Sequence, residues 1–91
     1  MKKINVIVCR HKVKTNIIHY YDKAVLALES EEEAKELLCQ LDDILEKEDL
    51  NELRTLMVKN TMLIPKVLQG ESIPGTGLKS ISFHIDQCIL K

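Results

Sequence analysis

Apolar and polar positions follow two different periods along this chain, and the change from one to the other divides it. Ile4-Asn5-Val6-Ile7-Val8-Cys9 is a β-branched run closed by Lys2-Lys3 on one side and by Arg10-His11-Lys12 on the other. Such a run predicts a strand buried on at least one face, placed centrally in a sheet. Val13, Thr15, Ile17, His19 and Tyr21 then alternate with Lys12, Lys14, Asn16, Ile18 and Tyr20, the period of two expected of an antiparallel partner. Ala24 to Leu28 is a short apolar run that fits either a third strand or the lead-in to a helix.

The period then lengthens. Ser30 followed by Glu31-Glu32-Glu33 forms a capping box, in which the serine hydroxyl accepts from the Glu33 amide, and three carboxylates in the first turn complement the helix dipole. At 100° per residue, Ala34, Leu37, Leu38, Leu41, Ile44 and Leu45 share one face, which predicts a helix over Glu31 to Lys47. Asp49 with Glu52 repeats the start signal, so a second helix begins near Leu50 and turns Leu50, Leu53, Leu56, Met57 and Leu63 inward. Pro65 limits it to an end between Asn60 and Ile64, and Pro65 to Gly70 reads as a short helical turn. Gly70 to Lys79 holds every glycine and Pro74, a loop composition. Last, Ile81, Phe83, Ile85 and Ile89 alternate with Ser82, His84, Asp86 and Cys88, a long half-buried strand. The expected fold is α+β: a small antiparallel sheet of three to four strands with two consecutive helices on one face, in the order β-β-(β)-α-α-β.

Composition narrows this picture. With 91 residues the chain suits a single domain spanning 1–91, and 45% hydrophobic with 30% charged residues is ordinary globular usage. One Phe, two Tyr and no Trp leave the core to aliphatic side chains. No apolar run reaches the roughly 18 residues of a membrane helix, and the start lacks a signal-peptide pattern. Cys9, Cys39 and Cys88 are odd in number and widely spaced, which fits reduced thiols and a cytoplasmic location better than a disulfide framework. The formal net charge of -1 conceals segments of about +5 (residues 1–23), about −9 (24–53) and about +3 (54–91). A chain so divided is suited to pair with itself or to offer faces of opposite sign to partners, so a homo-oligomer is expected.

Candidate chemistry adds little to an enzymatic reading. Cys9 and His11 with His84 and Cys88 are zinc-compatible types, but His84 and Cys88 on one strand stand ~13 Å apart, too far to share an ion. Cys39 lies among carboxylates that oppose the thiolate a nucleophile requires. Ser82, His84 and Asp86 point the same way along a strand instead of converging. The loop from Gly70 to Ser80 lacks the Lys-Ser/Thr pair after its second glycine and precedes a strand, so it is not a P-loop.

No catalytic residues, metal or cofactor are therefore expected. The leading expectation is a small non-enzymatic regulator or inhibitor that binds a protein partner through the acidic helix face at Glu32, Glu36, Asp43 and Glu46. The alternative is a binder of nucleic acid or of a small nucleotide-like anion. It would use the basic N-terminal hairpin, with Arg10, Lys12, Lys14 and Tyr20, and the glycine-rich loop, with Gly75, Gly77 and Lys79.

Overall fold

β1 (Lys2–Lys14) carries the β-branched run and lies between β2 (Ile18–Leu28) and β3 (Ile81–Leu90), both antiparallel to it. Between β2 and β3 the chain forms α1 (Glu31–Lys47) and α2 (Leu50–Lys59), with short 3₁₀ turns at Lys66–Leu68 and Gly77–Ser80. The computed structural model describes residues 2–70 and 77–90. The architecture is α+β, with a three-stranded sheet of order β2-β1-β3 and its helices gathered on one face.

The first strand runs five residues past Cys9, to Lys14, and the chain reverses at Thr15–Ile17. This turn contains neither glycine nor proline. Thr15 closes it by donating from its amide (3.1 Å) and its hydroxyl (3.3 Å) to the Ile17 carbonyl. The alternation read from Lys12 to Tyr21 is thus shared by two strands, whose paired residues keep it in phase: Lys12 faces Tyr20 and Val13 faces His19.

Ala24 to Leu28 is the end of β2 and not a separate strand. Ile7 pairs with Leu26 and Val8 with Ala24, so Val25 is the extra residue of a β-bulge. The bulge shifts the alternation by one. Leu26 and Leu28 then join Ile7 and Asn5 on the face toward the helices, and Val25 is 2% exposed.

α1 has the predicted bounds. Its N-cap Ser30 accepts from the Glu33 amide at 3.2 Å, and Ala34, Leu37, Leu41 and Ile44 are buried with Leu38 and Leu45 packed beside them. Glu48, at φ 56°, ends the helix in the left-handed conformation, and Asp49 caps α2 by accepting from the Glu52 amide at 3.0 Å. Leu53 and Met57 of α2 are fully buried. α2 stops at Lys59, before proline acts: the Asn60 side chain caps Leu56 O at 2.8 Å and Thr61 turns left-handed at φ 55°. That reversal places Met62 in the core and leaves Leu63, expected inside, 60% exposed. The Leu63 amide instead donates to Val25 O (2.9 Å), covering the free edge of β2 at its bulge.

Pro65 leads into the Lys66–Leu68 turn as expected, and Leu68 is buried. Of the expected loop Gly70 to Lys79, residues 71–76 lie outside the described residues, and its end is helical, because Gly77–Ser80 forms a 3₁₀ turn closed by Ser80 Oγ donating to Gly77 O at 2.7 Å. Gly77 has φ +69°, a conformation that favours glycine.

Candidate binding surfaces

The pairing of β1 with β3 ends at His11 and Ile81, whereas the pairing with β2 continues to Lys14 and Ile18. Residues 12–20 therefore project as a two-stranded arm beyond the three-stranded sheet, consistent with the elongated 42 × 29 × 19 Å shape. The helices cover little of this end, so Ile17, Ile18, Tyr20 and Tyr21 stay about half or more exposed.

Register separates the arm into two faces. Arg10, Lys12, Lys14, Ile18 and Tyr20 lie on the face away from the helices; Val13, His19 and Tyr21 lie on the other. Arg10 donates to Asp22 through Nε (2.8 Å) and Nη2 (3.0 Å), and its guanidinium lies 5.2 Å from the Tyr20 ring centre. The hydrogen-bonded guanidinium holds the Asp22 carboxyl below the usual carboxylate range. Lys12 and Lys14, by contrast, are exposed and meet no carboxylate among the described residues. On the inner face His19 and Tyr21 stack, with ring centres 6.4 Å apart.

Lys79 is exposed in the 3₁₀ turn that leads into Ile81, and this turn packs on β1, which brings Lys79 to the base of the arm. Gly77 shares that turn; Gly75 lies outside the described residues. The acidic set stands elsewhere. Glu32, Glu36, Asp43 and Glu46 are all exposed on α1, which begins at the end of β2 farthest from the hairpin turn. Glu31 in the first turn pairs with Lys35 at 3.2 Å. Asp43 also borders a shallow groove between α1 and α2, together with Lys47, Glu52 and Lys59.

The sheet separates the zinc-compatible residues. Cys9 and His11 occupy the face toward the helices and His84 and Cys88 the opposite face; among the described residues no His, Cys, Asp or Glu cluster is able to hold a metal. Burial, and secondarily the Asp22 carboxylate, push the Cys9 thiol up to about 12. Cys39 and Cys88 are exposed. A thiol-reactive chromogen is accordingly expected to label Cys39 and Cys88 in the native protein and Cys9 only on unfolding. Rapid labelling of all three would contradict this packing. Ser82, His84 and Asp86 line one side of β3, where His84 Nε2 lies 3.5 Å from Asp86 Oδ2, an arrangement with no convergent nucleophile.

Three polar side chains matter in ways the sequence pattern did not announce. Asn5, 1% exposed within an apolar run, donates to Leu28 O and Glu29 O (both 3.3 Å) and accepts from Gln87 Nε2 (3.0 Å), tying the central strand to both neighbours. Arg54 donates to Leu68 O at 2.6 Å and to Gly70 O, fastening the segment after α2. His11 Nε2 is buried without a hydrogen-bond partner among the described residues, beside a recess of about 160 Å³ that Cys9 and Tyr21 also line. The one advance signal was an amide residue at a strand position whose register faces inward.

Among the described residues no helix is long and apolar enough to cross a membrane. No protein-family model, curated protein or solved structure matches the chain.

Proposed function

We propose that this chain is a small, non-enzymatic, cytoplasmic binding protein that contacts single-stranded nucleic acid through the β1–β2 arm. The observation that carries the reading is the projecting strand pair itself, which sets Lys12 and Lys14 beside an exposed Tyr20 on one face. Alternate residues of a strand stand ~6.8 Å apart. Lys12 and Lys14 therefore stand a step apart comparable to that between phosphates along a nucleic-acid strand, with Arg10, held by Asp22, next in the row. Tyr20, 56% exposed with the Arg10 guanidinium over one side of its ring, supplies a flat surface for a base, and Lys79 adds a cation at the base of the arm. A single nucleotide is the smallest ligand of the same chemistry. The cytoplasmic placement rests on three free thiols.

Fluorescence anisotropy with a labelled single-stranded oligonucleotide tests the reading. Affinity should fall as salt rises, with a log–log slope near −0.7 per phosphate neutralised. The double substitution Lys12→Ala/Lys14→Ala should weaken binding about tenfold or more, and Tyr20→Ala roughly 5- to 100-fold through lost stacking. Glu32→Lys/Glu36→Lys should not weaken it. Absence of binding at low salt, or binding indifferent to Lys12 and Lys14, would contradict the proposal.

A second reading keeps the acidic face as the contact, in a regulator or inhibitor whose carboxylates meet a basic partner. Its support is that Glu32, Glu36, Asp43 and Glu46 are solvent-exposed together on α1. Charge reversal at Glu32, Glu36 and Asp43 should then abolish capture of a basic protein partner; unchanged capture would count against it.

A further inference from the structure

The two edges of the sheet are not equally protected. At β2 a bulge interrupts the strand, Lys23 lies within it, and the Leu63 amide occupies the Val25 carbonyl. Among the described residues β3 has none of these devices. Its register with β1 runs from Ile81 to Leu90 without a shift, it contains no proline or lysine, and among the described residues it pairs with β1 alone. A long regular edge of this kind is a template for another strand.

We infer that β3 pairs antiparallel with β3 of a second copy of this chain, about a two-fold axis at Ile85. The pleat limits the choice. A two-fold normal to the sheet keeps both helix layers on one side, and directly opposed residues must then point the same way, so the axis passes through a residue facing itself. An axis at His84 or Asp86 sets like groups against each other. An axis at Ile85 sets His84 of each copy against Asp86 of the other, twice, and Ile85 against its own equivalent. It also places Ile89, 56% exposed, beside Ile81 of the second copy. His84 and Asp86 point to the open face, with side chains 32% and 63% exposed; within one chain they lie 3.5 Å apart, and the second copy offers each the same kind of partner across the edge.

The product is a continuous six-stranded sheet of order β2-β1-β3-β3-β1-β2. Its two arms lie at diagonally opposite ends, so a flexible polyanion long enough to reach both would engage two sites. This inference is independent of the arm's ligand, since it concerns the opposite edge of the sheet and its test contains no ligand.

Sedimentation equilibrium over a range of concentrations should give a mass approaching twice the 10.4 kDa of the chain. Asp86→Lys, at an exposed position, should weaken the dimer about tenfold, because two His–Asp pairs become like-charged or unpaired. The swap His84→Asp/Asp86→Lys recreates the pairing with reversed sign and should restore affinity to within about threefold of the parent. Circular dichroism identical to the parent verifies that each variant is folded. A parent that stays at 10.4 kDa throughout, a dimer untouched by Asp86→Lys, or a swap that fails to restore it would each overturn the assignment.

Discussion

Replacing Leu41 by alanine is expected to remove about 2–5 kcal/mol of stability, the largest effect of any single substitution considered for this fold. Leu41 is 0% exposed at the centre of the α1 stripe, with Leu37 and Ile44 on the same face and the core made almost wholly of aliphatic side chains. A chain of this length holds roughly 5–15 kcal/mol in total, so the variant should retain only part of its cooperative transition. Its urea midpoint, set against that of the exposed neighbour substitution Cys39→Ala, is the measurement. Near-equality of the two would mean that α1 does not pack as described.

The second large effect is expected at Asn5. Substitution by leucine leaves the Leu28 and Glu29 carbonyls and the Gln87 amide without their partner and should cost about 1–3 kcal/mol despite the added apolar surface. Asn5→Asp is the sharper test, because it keeps the shape and turns the donor into a carboxylate facing two carbonyl oxygens. Burial and those oxygens disfavour its charged form, so its folded pKa lies above the value of about 3.9 in the unfolded chain. Below pH ~3.9 the aspartate is neutral in both states and the added penalty is absent. As pH rises through the unfolded and toward the folded pKa, the unfolded state releases its proton first, and the stability gap to the parent should widen until it levels off. A gap independent of pH between about 4 and 7 would show that Asn5 is not enclosed by these carbonyls.

Asn5 also marks where sequence patterning stopped being informative. A period of two assigns strands by apolar residues, and a single satisfied amide in the inward row carries no signature until its partners are known. Those partners lie more than 20 residues away in β2 and more than 80 away in β3. α1 was legible for the converse reason: Ser30, the three following glutamates and the Leu/Ile stripe are all local, and each agrees with the others. The hairpin turn was hidden because Thr15 closes it with its own amide and hydroxyl, with none of the residues that usually mark a turn. The bulge at Val25 was hidden because five small apolar residues fit any phase, and only cross-strand register reveals the slip. Leu63 and Met62 exchanged places because Thr61 reverses the backbone, a left-handed residue that composition does not announce.

For the surfaces, the lysines of the hairpin and the carboxylates of α1 were both evident as charge runs. The sequence did not disclose that the hairpin outruns β3, a consequence of strand lengths set at opposite ends of the chain. That projection favours the arm as a contact element: its apolar side chains are exposed although the chain has a core that buries most others. Arg10 is partly spent on Asp22, which leaves Lys12 and Lys14 as the cations most open to a ligand.

The most direct test of this account is a residue-resolved titration of the isotope-labelled protein with a single-stranded oligonucleotide, followed by amide chemical-shift changes. Shifts concentrated in residues 10–23, joined by Lys79 and reduced by added salt, are the predicted result. Shifts confined to α1, or none at low salt, would contradict it.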